Sequence, residues 1–236
     1  GRGRAADQLQ ICGARRRADP TLTPMDMSGK RAFRSGSLRH RGRRIGLLGG
    51  SFNPAHDGHL HISRLALAKL GLDEVWWLVS PQNPLKSEAG MAPFESRLES
   101  ANRIARDRRI RVSAMEAEFG TRYTAETLKA LQNRYPAARF VWLMGADNLV
   151  QISRWRAWTQ IFNTIPIAVF ARDSYDSKAL SARASVRFAR ARIPERAARS
   201  LPDAAPPAWV FMRIKPHPAT ATDIRQNGAW PASHDD

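Results

Sequence analysis

A single cysteine, Cys12, leaves the chain unable to build a disulfide framework, and it excludes a cysteine-based zinc site as well. That usage fits a reducing compartment, so a cytoplasmic location is expected. Long apolar runs are also missing. No stretch approaches the ~20 residues of a membrane span, and no signal-peptide core follows the first basic residues. No membrane partner is therefore expected. Acidic residues are scarce: 21 Asp and Glu stand against 38 Lys and Arg, a formal net charge of +17. No internal repeat is visible. The 236 residues are 43% hydrophobic and 25% charged, which reads as soluble and globular, with one real core or two small ones.

The basic excess is uneven. Residues 1–44 carry twelve Lys or Arg against three Asp. They are rich in Arg, Gly, Ser and Pro and lack apolar periodicity, so residues 1–40 read as a basic, disordered extension. The chain begins with Gly, and Met25 and Met27 lie just before the basic stretch from Lys30 to Arg44. Residues 1–24 are thus read as upstream or extraneous sequence. The competing reading is an arm that contacts RNA or another anionic surface. It is the less favoured reading, because no aromatic residue is interleaved with the arginines of 1–24, as a nucleic-acid platform would want.

From Ile45 the chain alternates between strand and helix patterns. Strands are expected at about 45–48, 74–79, 109–113, 139–145, 165–170 and 209–214. Helices are expected at 58–70 (closed by Gly71), 93–106, from Thr124 with Thr124 or Thr127 as N-cap, 149–162, 176–200 with a break at Pro194, and 222–225. Glu74-Val75-Trp76-Trp77-Leu78-Val79 has no polar break inside it, as in a strand buried on both faces. The expected fold is α/β, a Rossmann-like doubly wound, mainly parallel sheet with flanking helices. Residues 41–230 form one domain and 231–236 a tail. Ligands then belong at the carboxyl ends of the strands.

The most informative stretch is Gly49-Gly50-Ser51-Phe52-Asn53-Pro54-Ala55-His56-Asp57-Gly58-His59. It joins a short apolar strand to an amphipathic helix. A helix start offers unpaired N–H groups and a positive dipole end, glycines allow an anion to approach the backbone, and imidazoles add donors. It is neither a GxGxxG fingerprint nor a Walker A loop. Zinc at His56 and His59 would need a third ligand that no pattern supplies. A helix start with two incidental histidines is the bland alternative.

The stretch resembles the GGSF-x-P-x-H-x-G-H signature of nucleotidyltransferases related to the HIGH-type class I synthetases. Further matches narrow the resemblance to nicotinate (nicotinamide) mononucleotide adenylyltransferases. Pro81-Gln82-Asn83-Pro84-Leu85-Lys86 is similar to that family's P-x-x-P-x-K loop. Arg122-Tyr123-Thr124-Ala125-Glu126-Thr127-Leu128 is similar to S-Y-T-x-D-T-L, with Arg122 and Glu126 as departures. Gly145-Ala146-Asp147-Asn148-Leu149 resembles G-x-D-S-L, and a tryptophan-bearing segment, Arg154 to Trp158, follows it. Pro218 to Arg225 resembles I-S-S-T-x-I-R, with Thr220 in place of a serine and Ala221 lacking a hydroxyl. The resemblance covers about residues 44–226.

It implies adenylyl transfer from ATP to nicotinate mononucleotide, giving nicotinate adenine dinucleotide and pyrophosphate. His56 and His59 are the implied catalytic pair. Gly49, Gly50, Ser51, Phe52, Asp147, Thr220, Thr222 and Arg225 are implied for ATP, and Lys86, Thr124 and Trp155 for the mononucleotide. Trp158, three residues on from Trp155, reads as core. Mg²⁺ is expected on the phosphates of ATP, with no protein ligand, since Asn53 stands where relatives often carry Asp. No nucleic-acid partner is expected, and no oligomeric state is implied. The alternatives are another nucleotidyltransferase of the superfamily, such as one acting on phosphopantetheine, and an RNA-binding protein using the basic arm.

Overall fold

Four apolar runs form the centre of the molecule. The computed structural model describes residues 40–81, 90–171, 176–215, 217–219, 221–227 and 230. The expected basic extension up to residue 39, Lys86 and most of its loop, Thr220 and the tail from 231 lie outside the described residues. The first run becomes β1 (Arg44–Gly50), the second β2 (Glu74–Val79), the third β4 (Arg139–Gly145) and the fourth β5 (Ile167–Ala171), with β3 (Ile110–Ser113) on the flank of β2. All residues of β2 and β5 are buried, as continuous apolar strands of a helix-covered parallel sheet should be. Two further strands, β6 (Arg192–Ile193) and β7 (Trp209–Arg213), complete a sheet of order β3-β2-β1-β4-β5-β7-β6. Every pairing is parallel.

The order runs outward from β1 through β2 to β3 and, in the other direction, from β4 through β5 to β7. The reversal falls between β1 and β4, where a crevice opens outside the strand ends. Three helices carry the main crossovers: α1 (Asp57–Lys69), α2 (Phe94–Ile104) and α4 (Thr124–Arg134). α1 ends as expected. Gly71 takes φ +64°, and Leu72 N–H returns to the Leu67 carbonyl at 3.2 Å. His40 is buried edge-on against Trp76 and Tyr135, at ring distances of 5.3 and 5.5 Å.

Several local expectations change. β1 runs on to Gly50, so both glycines lie in the strand end and pair in register with Leu78 and Val79. Gly49 is demanded by packing: an added Cβ would fall 2.3 Å from the Trp142 ring, whereas one at Gly50 meets only the Phe52 ring at 3.6 Å. Gly49→Ala should therefore destabilise the fold by about 1–3 kcal/mol, read by urea denaturation, with Gly50→Ala nearly neutral. Equal effects of the two would refute the packing argument.

A short helix, α3 (Met115–Glu118), has no counterpart in the sequence pattern. The N-cap of α4 is Tyr123, with no side-chain cap bond, so neither threonine caps it. Thr127 is buried and turns its hydroxyl to Thr121 Oγ1 (2.8 Å) and the Tyr123 carbonyl (3.3 Å). The expected 149–162 helix is split into α5 (Ala146–Gln151), a 3₁₀ turn at Ile152–Arg154 and α6 (Trp158–Thr164). The left-handed Ala157, φ 52°, breaks it. The 176–200 stretch becomes α7 (Asp176–Leu180), α8 (Arg183–Arg187), a 3₁₀ turn at Ala189–Ala191 and β6. A further 3₁₀ segment begins after Pro194. The last helix, α9, spans Ala221–Gln226.

Candidate active site

The strand ends converge on a cleft of about 660 Å³. Its walls come from the ends of β1, β4 and β5 and from the segments that follow β2, β3 and β7, so the switch point of the sheet and the cleft coincide.

At its centre is the start of α1. His56 is the N-cap, in extended conformation, and its Nδ1 accepts the Gly58 N–H at 3.1 Å. His59 Nδ1 accepts the His56 N–H at 3.2 Å, which closes a reciprocal capping box. Since both Nδ1 atoms are acceptors, the proton of each neutral ring sits on Nε2, and Nε2 is the donor of each imidazole. The rings lie 3.9 Å apart between centroids. Such a pair of N–H donors at a positive helix end suits the oxygens of a phosphate. Gly58 is needed here: a Cβ would meet the His56 ring at 2.8 Å and the Ala219 carbonyl at 3.1 Å.

The pair stands on a stack. The His59 ring rests 4.7 Å from that of Phe52, which stacks on Trp77 at 5.2 Å. Phe52 is 2% exposed and adopts φ 48°, a left-handed conformation that a bulky residue takes only under constraint. Trp77 Nε1 donates to Ser63 Oγ at 2.7 Å, and that hydroxyl donates to the His59 carbonyl at 2.8 Å. The core thus holds the catalytic candidate from below.

Two residues hold the turn from the side. Arg97, in α2, is 1% exposed. Its guanidinium donates to the carbonyls of Ala92 (3.0 Å), Ser51 and Ser80 (both 2.7 Å) and Pro81 (2.8 Å). Burial pushes its pKa down, but a guanidinium is not deprotonated in proteins and stays a cation here. Asn53 uses both ends of its amide. Nδ2 donates to the Gly90 carbonyl at 2.8 Å, and Oδ1 accepts from Ala92 N–H (3.1 Å) and Trp230 Nε1 (2.7 Å). A carboxylate there would lack the donor for Gly90.

Opposite the turn, Asp147 Oδ1 folds over Gly145, where a Cβ would lie 2.3 Å away. Asp147 is inside the first turn of α5, whose N-cap is Gly145, so it is not a capping carboxylate. Trp155 is half-buried in the break before α6 and lines the cleft. Trp158 packs edge-on against Phe162 and Phe188, at 6.3 and 6.0 Å. Thr124 opens α4 on the same wall as Tyr123, over whose ring the Arg156 guanidinium sits at 4.7 Å.

The cytidylyltransferase-like family model matches residues 47–227. A "Probable nicotinate-nucleotide adenylyltransferase" of Parvibaculum lavamentivorans is 53% identical over 189 residues, which are 80% of this chain and 94% of the relative. The chain belongs to the nicotinate-nucleotide adenylyltransferase family. A further member, from Erythrobacter litoralis, is 52% identical over 192 residues, 81% of this chain and 88% of its own. Among solved structures, the Plasmodium falciparum nicotinic acid mononucleotide adenylyltransferase complexed with NaAD superposes with a TM-score of 0.59. The match covers 78% of this chain and 83% of that one, and at 15% identity it speaks for the fold.

Of the residues that the family resemblance implied, Gly49, Gly50, Ser51, Phe52, His56, His59, Thr124, Asp147 and Trp155 all line the cleft. Thr222 and Arg225, in α9, do not. Arg225 donates to the Asn53 carbonyl at 2.5 Å and to Thr222 Oγ1 at 3.4 Å, which ties α9 to the glycine turn. Lys86 and Thr220 lie outside the described residues. Sequence reasoning missed Arg97, Glu116 and the pair His61 and His217, whose rings lie 5.7 Å apart on the cleft wall. None of them is part of a matched motif, although His61 and His217 lie beside two of them. Among the described residues, no helix is long and apolar enough to cross a membrane.

Proposed function

We propose that the chain transfers the adenylyl group of ATP to nicotinate mononucleotide, releasing nicotinate adenine dinucleotide and pyrophosphate. The observation that carries this is the reciprocal His56–His59 cap at the switch-point cleft, in a chain about half identical to nicotinate-nucleotide adenylyltransferases. A phosphate oxygen of the mononucleotide attacks the α-phosphorus of ATP in line. The bond from that phosphorus to the bridging oxygen breaks, and the electron pair leaves with pyrophosphate. The nucleophile is already an anion near neutral pH, so no general base is required. The enzyme's work is to align two polyanions and to stabilise charge on the oxygens of the reacting phosphorus. In this reading Nε2–H of His56 and of His59 meets those oxygens, and the N–H groups of the glycine turn hold the triphosphate. Asp147 accepts from nucleoside hydroxyl or amino groups. Thr124 and the face of Trp155 take the pyridine ring. Lys86, Thr220, Thr222 and Arg225 act on phosphate, Arg225 after release from Asn53 or through it.

Mg²⁺ would supply charge neutralisation on the triphosphate. Among the described residues, no group of three or more His, Cys, Asp or Glu could hold a metal. In this reading phosphate oxygens and water would hold the ion, and no residue is named as its ligand. The catalytic unit is taken as residues 41–230, in the cytoplasm, with the basic extension dispensable for turnover.

The test is a substrate comparison. With ATP and Mg²⁺, kcat/KM should be highest for nicotinate mononucleotide, about tenfold or more above nicotinamide mononucleotide, which lacks the ring carboxylate. Phosphopantetheine should give no product. Phosphopantetheine as the best acceptor would overturn the proposal.

A further inference from the structure

Glu116 is a buried carboxyl that the account so far leaves without a task. It lies in α3, is 7% exposed, and lines the cleft. Its backbone is fixed on both sides. The Met115 N–H donates to Ser113 Oγ at 3.1 Å, and Thr121 N–H donates to the Glu116 carbonyl at 3.1 Å. The Thr121 hydroxyl in turn meets that of Thr127 in α4, so one clasp sets both Glu116 and the start of the helix that carries Thr124. The carboxyl bonds to Ser80, whose N–H donates to the Gly50 carbonyl at 2.9 Å.

A buried glutamate kept only for structure is ordinarily met by a cation or by several N–H groups. Among the described residues Glu116 makes no ion pair. Arg97 stands behind Ser80, with its guanidinium on the Ser80 and Pro81 carbonyls. Arg122 and Tyr123 line the cleft from the loop before α4, while His59, Asp147, Arg154 and Arg156 line it from α1, α5 and the turn after α5. Glu118 shares its helix. Burial pushes the Glu116 carboxyl up to about 7, against the pull of the Ser80 hydrogen bond. The group follows β3, two strands from β1 in the sheet. Its carboxyl nonetheless reaches Ser80 at the exit of β2, and the clasp through Thr121 and Thr127 ties it to the helix start that carries Thr124 on the cleft wall.

We propose that Glu116 is a specificity residue of the acceptor site: as the neutral acid it donates a hydrogen bond to the ring carboxylate of the incoming mononucleotide, and as the carboxylate it repels it. The inference rests on the proposed substrate class, and the test separates the two. Calorimetric Kd values are measured for nicotinate and nicotinamide mononucleotide between pH 6 and 8.5, on the wild type, Glu116→Gln and Glu116→Ala, with turnover assayed alongside. The wild-type Kd for the nicotinate form should rise about tenfold per pH unit above 7, and that for the nicotinamide form should not. Glu116→Gln keeps a donor that cannot ionise. Its Kd should stay within about threefold of the wild-type value at pH 6 and remain flat, apart from the substrate phosphate titration that both acceptors share. Glu116→Ala should raise Kd about tenfold at pH 6 while changing kcat less. Parallel pH profiles for the two acceptors in the wild type, or an unchanged Kd in Glu116→Ala, would overturn the inference. Glu116→Gln carries the test if the alanine variant does not fold. Absence of turnover with tight, pH-dependent nicotinate binding would instead count against the proposed reaction.

Discussion

His59→Ala should lower kcat for dinucleotide formation by about 10²- to 10³-fold, the usual effect of removing one donor aimed at developing charge. The ring does two things at once. Its Nδ1 accepts the His56 N–H at 3.2 Å, and in the proposed reaction its Nε2–H meets the oxygens of the reacting phosphorus. Losing the first releases one cap donor and should cost about 1 kcal/mol, a few degrees in Tm. His59→Asn separates the two roles. The amide oxygen can accept the cap hydrogen bond, but the shorter side chain does not reach as far as Nε2, so Tm should recover while kcat stays low. His56→Ala should behave like His59→Ala, and the double variant should fall by much less than the product of the two, because the rings act as one unit. Turnover unchanged in His59→Ala would refute its assigned role.

Arg97→Met should be among the most destabilising single changes in the molecule, by about 3 kcal/mol or more. The apolar stem is kept, so packing against Phe94 (5.4 Å from the guanidinium carbon to the ring centre) is partly retained. What disappears is the donor fork. Four carbonyls, of Ser51, Ser80, Pro81 and Ala92, lose a charged partner that is itself 1% exposed. They belong to the glycine turn, the β2 exit and the approach to α2, so the geometry of the phosphate site should loosen with the fold. KM for ATP should rise in whatever fraction remains native. Arg97→Lys should recover only part of the loss, since an ammonium cannot reproduce a planar fork. Arg103→Met, on the exposed face of the same helix, should stay within about 0.5 kcal/mol. Urea denaturation of the three variants decides it; a loss below 1 kcal/mol in Arg97→Met would contradict the bracing role.

The sheet was readable because its strands carry unbroken apolar runs. Glu74 to Val79 announces burial on both faces, and it is buried on both. The glycine turn was readable as an anion site for a sound reason, the helix start. Gly49 and Gly58 are also required by their neighbours, whereas Gly50 is not. Trp142 lies on the next strand over, and no local pattern shows that its ring occupies the space above Gly49. Trp155 and Trp158 sit at ordinary helical spacing, and only the left-handed Ala157 between them sends one to the cleft and the other, half-buried, onto the Phe162 and Phe188 rings. β6 is two residues long, too short for any periodicity to register. Arg97 and Glu116 were invisible for a related reason. A charged residue on an amphipathic helix or in a short polar stretch reads as solvated, but both are buried and bond to residues distant in the chain, Arg97 to the Ser51, Ser80 and Pro81 carbonyls and Glu116 to Ser80. The histidine tautomers likewise emerge only from the cap geometry.

The most direct measurement of the central claim follows the label in ATP. The protein is incubated with nicotinate mononucleotide, Mg²⁺ and ATP carrying phosphorus label at either the α or the γ position, and the products are separated. Attack at the α-phosphorus predicts that α-label enters nicotinate adenine dinucleotide, while γ-label appears only in pyrophosphate, in equimolar amount. Label from the γ position in the mononucleotide product, or no α-label in any dinucleotide from protein that unfolds cooperatively, would contradict adenylyl transfer.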